Sequence, residues 1–343
     1  MRLSFSLAIL LLAVSCSAGA FPRFAQRIGA TCQSCHVNPT GGGLRTSYGV
    51  TYGQETLPVG EWREETGMEN FSTQLSDVFS FGADFRTRIV HRSADATTSF
   101  LETQGDLYFA ANVNKRLTVY LDKGVASGTE VFGLLKLLPA HGYIKIGRFT
   151  PAYGIRLEDR NNRAEDTGFE LGSSPGPITL SAGVFNGSGG DKRKVLSARA
   201  EGRTEIGEVK LNLGGSVLRQ PAAGADVRLL GAFGGVSAGS LTVFGEADFR
   251  RDDAGGATRD ALLTYAEADF LVRSGLDLKV IYEYTDPDVD LKTGSFSVWS
   301  FGFEFFRSAI TGVREAGVDQ SLGDQLNAAG FVQIIGDEPS TWL

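Results

Sequence analysis

The sequence predicts an all-β fold: an antiparallel barrel of the outer-membrane kind, of about sixteen strands with fourteen as the nearest rival. A short N-terminal segment of different character precedes it. Three observations predict this. Long stretches alternate apolar and polar residues, the pattern of strands with two unlike faces. Of 343 residues 44 are glycine, nearly double the usual share of about 7%. No apolar run after the N-terminus approaches the ~20 residues of a membrane helix.

In chain order, residues 1–20 read as a secretory signal: Arg2 is the positive end, Leu7 to Val14 the apolar run, and Ala18-Gly19-Ala20 a small-residue cleavage site. Cleavage before Cys16, leaving a lipidated cysteine, is the alternative. Cleavage after Ala20 leaves Cys32 and Cys35 as the remaining cysteines. Export suits a chain made for a compartment beyond the inner membrane.

Residues 21–70 form the second unit, around Thr31-Cys32-Gln33-Ser34-Cys35-His36. Cys-x-x-Cys-His is the attachment signature of haem c. Two thiols at this spacing each form a thioether to one vinyl group of a porphyrin, and His36 then faces the iron as proximal ligand. A structural disulfide is the bland alternative; a zinc site would need a second cysteine pair, which the chain lacks. Gly41-Gly42-Gly43 lets backbone approach a flat ligand, and Arg45 and Tyr48 stand where they could meet haem propionates, against the alternative of a plain surface loop. Glu55 to Glu69 reads as a linker or a plug of the lumen. Candidates for the sixth iron ligand are Met68, His91 and His141. Met68 is preferred, because its segment can fold back over the haem and the histidines mark a strand end and a turn. A five-coordinate iron stays open.

From residue 71 to 343 the chain reads as barrel. Phe79, Phe81, Ala83, Phe85 and Ile89 oppose Ser80, Gly82, Asp84, Arg86 and Arg88, and Leu101, Leu107, Phe109 and Ala111 oppose Glu102, Gln104, Asp106 and Asn112. The pattern returns over 117–123, 142–149, 194–204, 207–219, 241–250, 259–272, 276–285 and 294–306. Several of these exceed the ~9–11 residues that a tilted strand needs to cross a bilayer, whereas soluble sandwich strands run about five or six. Charge on the second face suits a wet lumen. An even strand count puts both termini on the periplasmic side, with the last strand near Leu326 to Ile335. The cluster Lys145, Arg148, Arg156, Glu158, Asp159, Arg160, Arg163, Glu165 and Asp166 reads as a salt-bridged filling of the lumen around a loop turned inward at Pro151, or as an ion screen.

The formal charge of −7 argues against a nucleic-acid binder. No hydrolytic triad, phosphate loop or nucleotide fingerprint is present. The run Phe21-Pro22-Arg23-Phe24-Ala25-Gln26-Arg27-Ile28-Gly29-Ala30, leading into the Cys-x-x-Cys-His motif and then a barrel, resembles the fused monohaem cytochrome–porins of iron-oxidising bacteria. The match covers about residues 21–50. The resemblance implies one covalent haem c on Cys32 and Cys35, iron ligation by His36, and residence in the outer membrane of a Gram-negative bacterium. It also implies electron transfer between an extracellular redox partner, such as ferrous iron, and a periplasmic c-type cytochrome. A passive porin with a tethered periplasmic haem domain is the alternative, and a soluble haem sensor a third. Because the lipid-facing band is about 25 Å tall, a conduit requires residues 21–70 to enter the lumen.

Overall fold

The computed structural model describes residues 22–58, 73–92, 97–124, 128–156, 164–187, 193–222, 224–291 and 293–306, with 315–316, 325–327 and 331–337 beyond them. The expected signal, Met68, Glu158, Asp159, Arg160 and Arg163 lie outside the described residues.

Three helices come first: α1 (Pro22–Ile28), α2 (Cys32–Cys35) and α3 (Ser47–Glu55). Fourteen strands follow: β1 (Phe79–Arg92), β2 (Thr97–Asn114), β3 (Leu117–Gly124), β4 (Thr129–Leu138), β5 (Gly142–Phe149), β6 (Asp166–Ser173), β7 (Ile178–Phe185), β8 (Val195–Ile206), β9 (Val209–Ala222), β10 (Ala225–Ala238), β11 (Leu241–Ala254), β12 (Ala257–Arg273), β13 (Leu276–Asp286) and β14 (Phe296–Phe305). Each pairs antiparallel with the next. Three short segments end the sheet: β15 (Glu315–Ala316), β16 (Gln325–Asn327) and β17 (Phe331–Asp337). β17 lies along β14, β16 along β17, and β16 along β1. The ladder therefore returns to its first strand, and the circuit among the described residues is fourteen consecutive strands plus two short ones. Closure removes the unpaired edges that an open sheet would present.

The C-terminus differs from expectation. One strand was expected over 326–335, and the chain instead pairs β16 with β17 as two short antiparallel pieces. Residues 328–330, between the two pieces, lie outside the described residues.

Alternation along the strands sorts the wall into two faces. On β8, Val195, Ser197 and Glu201 are buried inside while Leu196 is 47% exposed outside. Leu213, Leu230, Phe85, Phe100 and Leu107 are all more than half exposed on the outer face. Inside, Glu130, Lys145, Glu170, Glu246, Glu267, Asp269, Lys279 and Glu304 are buried. An apolar exterior around a charged interior is the inverse of a soluble core, and it suits lipid outside. The connections differ between the two ends. One end carries only short connections, such as 115–116, 207–208, 239–240 and 274–275, and the other carries the long connections 150–165 and 287–295 beside the short ones 223–224 and 255–256.

The lumen is filled from both ends. Residues 22–58 enter at the tight-turn end: Gln26 Nε2 donates to the Lys210 carbonyl at 2.9 Å, and Ser274 Oγ donates to the Thr56 carbonyl at 3.1 Å. From the other end, residues 150–156 turn inward after β5 and bury Ala152, Tyr153 and Ile155. Three bonds fix this loop: Tyr153 Oη to Asp248 (2.7 Å), Gly154 N to Ser216 Oγ (2.7 Å) and Ile155 N to Glu246 (2.8 Å). The expected inward turn at Pro151 is present, and Pro151 is itself buried.

Leu230→Arg places a charge at mid-strand on the outer face, and in lipid vesicles it is expected to cost about 2–4 kcal/mol in a urea titration. A change within about 0.5 kcal/mol, the ordinary range for a surface substitution in water, would put that face in water instead.

Candidate functional site

The insert is a short polypeptide that barely forms its own core, so the barrel wall must hold it. α2 is one helical turn, which sets Cys32 and Cys35 three residues apart on one face. His36 caps the turn in extended backbone, its N–H reaching the Cys32 carbonyl at 2.9 Å. The chain then makes a tight excursion: His36 bridges Arg45, and Val37 N donates to the Leu44 carbonyl at 2.9 Å. Gly41, Gly42 and Gly43 all take positive φ (93°, 79° and 61°) to turn it. Thr46 closes the unit by donating its N–H to the Cys35 carbonyl and its hydroxyl to the Ser34 carbonyl, and it caps α3 through Gly49 N. Gly49 has no side chain because a Cβ there would strike the Cys35 carbonyl oxygen.

The inner wall meets this excursion residue by residue. Leu44 is buried against Tyr108 and Tyr120, and its N–H donates to Tyr120 Oη at 3.1 Å. Asn38 Nδ2 donates to Glu130 at 3.0 Å, while Lys145 Nζ reaches Asn38 Oδ1 at 3.3 Å and pairs with Glu170 at 2.9 Å. Gln33 Nε2 donates to Ser174 Oγ at 3.1 Å. The glycines were expected to admit a flat ligand. The wall instead sets the Tyr120 hydroxyl against Gly43 and the Arg156 guanidinium against Gly42.

At the start of the insert, Arg23 is sealed among Glu267, Asp269 (3.0 Å) and Glu304. Lys279 shares the same carboxylates, at 2.8 Å from Glu267 and 3.1 Å from Glu304. Arg27 pairs with Asp277 at 2.8 Å. Without Arg23, Lys279 alone would face three buried carboxylates, so the insert supplies a cation that the wall requires.

The electrostatics of the motif follow from this enclosure. Burial raises the Cys32 thiol above its ordinary value, against the opposing pull of Arg199. Cys35 is raised by burial and then by Cys32 beside it. A nucleophilic dithiol needs the opposite shift. His36 is pushed down to about 3, first by burial and then by Arg45 and Arg156, so its imidazole is neutral. That is the protonation state of an iron ligand. The Gly43 and Gly42 backbone faces the His36 imidazole and favours its protonated form, but by less than burial and the two arginines oppose it. Both thiols are free. Two thiols on one helical turn followed by a neutral imidazole are the donor set that a c-type haem would need.

Of the other sequence candidates, Arg45 lies within electrostatic reach of Cys35 and His36. Tyr48, on the first turn of α3, is 54% exposed. His141 sits exposed in the turn after β4 at φ 54°, and that turn reaches the motif through Ser174, whose N–H donates to the Ala140 carbonyl. His91 lies on β1 beyond Gly82, the point where Leu44 meets that strand. Nine residues of strand separate them, about 30 Å, so His91 is far from His36. Arg23, Asn38, Tyr120 and Glu130 carry the docking and were not singled out by sequence. Their only signal was inward parity on the strands and a charged residue within Phe-Pro-Arg-Phe.

No protein-family model matches this chain, and no curated protein matches it in sequence. Solved structures match the barrel. The outer-membrane OmpT of Vibrio cholerae aligns at 14% identity and TM-score 0.50 over 68% of this chain and 84% of its own. The anion-selective porin of Comamonas acidovorans aligns at 13% identity and TM-score 0.50, over 66% of this chain and 83% of its own. A further porin aligns at 13% and 0.50, over 76% of this chain and 100% of its own. The fold is therefore that of the porin-type outer-membrane barrel, here with an N-terminal insert bearing Cys-x-x-Cys-His inside it.

Arg23→Ala is expected to weaken docking of the insert by about 3–5 kcal/mol, the cost of breaking a buried ion pair. Trypsin should then cut after Arg27 in the folded variant and leave the parent intact there. Equal protection in both would show that this ion cluster does not seat the insert.

Proposed function

We propose that this chain is an outer-membrane barrel that carries one covalent haem c on its lumen insert and passes electrons across the membrane. One observation carries the reading: Cys32, Cys35 and His36 stand inside the barrel, between the tight-turn end where the insert enters and the inward loop 150–156 from the opposite end. Haem c, when bound, supplies a one-electron couple within the height of the lipid-facing band. Cys32 and Cys35 would hold it as thioethers, the neutral imidazole of His36 would ligate its iron, and Arg45 adds positive charge at the motif. Met68, outside the described residues, is the sixth ligand that the sequence favours. Arg23, Asn38 and Leu44 keep the insert in place.

Tight turns at one end and long loops at the other match the periplasmic and extracellular ends of bacterial barrels. On that rule the insert enters from the periplasm, whereas β17 runs along β14 to set Asp337 opposite Phe296 at the long-connection end, against the expected periplasmic C-terminus. A periplasmic c-type cytochrome meets the insert from below. An extracellular redox partner, with ferrous iron as the substrate suggested by the resemblance of residues 21–50, meets the barrel from above.

A second reading, a passive porin whose haem segment is only tethered, is favoured by the likeness of the barrel to porins, one of them described as anion-selective. Liposomes separate the two. Haem-loaded protein with an oxidant inside should take electrons from an external reductant, the Cys32→Ser/Cys35→Ser variant should not, and solute flux should stay near background. Solute flux graded by size, without electron transfer at full haem loading, would establish the porin reading in its place.

A further inference from the structure

We infer that Arg156, the last described residue of the inward loop, is a residue through which the barrel wall tunes the reduction potential of the haem, with Glu130 as its counterweight. The inference rests on the haem reading of Cys32, Cys35 and His36. Arg156 belongs to a charged stretch that sequence alone assigns to lumen filling, and its position gives it a narrower role.

The geometry is specific. A Cβ added at Gly42 would stand 3.0 Å from Cζ, Nε and Nη2 of Arg156, so the guanidinium lies against bare insert backbone. A Cβ added at Gly41 would stand 3.6 Å from Cys32 Sγ and 4.0 Å from Arg156 Cδ. One glycine thus separates the arginine side chain from a thioether sulfur. The same guanidinium acts on both Cys32 and His36. Its backbone cannot drift, because Tyr153, Gly154 and Ile155 are each bonded to the wall just before it.

Glu130 fixes the head group. Arg156 Nη2 donates to Glu130 Oε1 at 3.2 Å, and the same carboxylate accepts from Thr150 N at 3.0 Å and Asn38 Nδ2 at 3.0 Å. One anion therefore ties together the base of the inward loop, its last described residue and the insert. Arg199 and Arg203, paired at 2.8 Å with Glu201, also act on Cys32, and Arg45 acts on His36; of the wall's arginines, Arg156 is the one that acts on both Cys32 and His36 among the described residues.

Charge so close to an iron centre has a definite sign. Oxidised iron carries one more positive charge than reduced iron, so a neighbouring cation disfavours the oxidised form and raises the potential; an anion lowers it. In a packed lumen the effect is larger than in water. Arg156 and Glu130 must then act in opposite directions. A salt bridge that only filled space would, on losing either partner, loosen the same contact and move every property the same way.

The test is a spectroelectrochemical titration of the full haem-loaded chain in detergent, comparing the parent with Arg156→Gln, Arg156→Lys and Glu130→Gln at matched haem content per chain. The expected result is a lower midpoint potential for Arg156→Gln, a higher one for Glu130→Gln, and a value near the parent for Arg156→Lys. Unchanged midpoints in Arg156→Gln and Glu130→Gln, or shifts of the same sign, would overturn the assignment while leaving the haem reading intact. If Glu130→Gln fails to assemble, Arg156→Lys against Arg156→Gln decides by charge; if Arg156→Gln fails, a midpoint for Glu130→Gln that is not above the parent's overturns the assignment. A parent chain that binds no haem overturns the haem reading, and this assignment with it.

Discussion

A cylinder with buried carboxylates on its inner wall must find cations to meet them, and this requirement organises the molecule. Glu267, Asp269 and Glu304 face one another across adjacent strands with Lys279 among them. Arg23 of the insert completes the set, sealed from solvent. Removing such a partner strands charge in a packed interior, which costs several times what an exposed salt bridge contributes. The first turn of the insert is thus fixed by the wall, and everything between Arg23 and Leu44 is held within reach of the opposite strands.

The second consequence concerns the motif itself. Had Cys32, Cys35 and His36 stood on a tethered domain in open solvent, the histidine and the thiols would keep their ordinary acid–base behaviour. Enclosure instead keeps the imidazole neutral and raises the thiols. The wall contributes more than confinement: Asn38, two residues beyond His36, is gripped by Glu130 and Lys145, and the loop carrying Arg156 arrives at the same carboxylate. Barrel and insert form a single site, to which the fold class alone would not have pointed.

Legibility in the sequence followed the same physics. Strands whose inner face is wet or charged, such as β8 with Arg199 and Glu201 or β13 with Asp277 and Lys279, alternate clearly and were readable. β4 and β10 were not. In Val131-Phe132-Gly133-Leu134-Leu135 and Leu229-Leu230-Gly231-Ala232-Phe233 both faces are apolar, because Phe132 and Leu134 join the core around Leu44, and Phe233 packs on Ile155. Alternation disappears where apolar side chains fill the lumen, so the pattern fades at β4 against Leu44 and at β10 against Ile155, while β12 and β13, which hold Arg23 and Arg27 through charge, keep it. β6 and β7 were hidden by inward glycines such as Gly168 and Gly183, which leave no room for a side chain against Phe185. For the site, spacing alone named Cys32, Cys35 and His36, since their chemistry is local. The docking residues are far apart in sequence, as with Arg23 and Glu304, and only the closed barrel brings them together.

The most direct measurement is the mass of the tryptic peptide Ile28–Arg45 from the mature protein, made in cells that possess haem-attachment machinery. Covalent attachment within the lumen predicts that this peptide carries the mass of one haem. The unmodified peptide, or one lighter by the two hydrogens of a Cys32–Cys35 disulfide, would contradict the account.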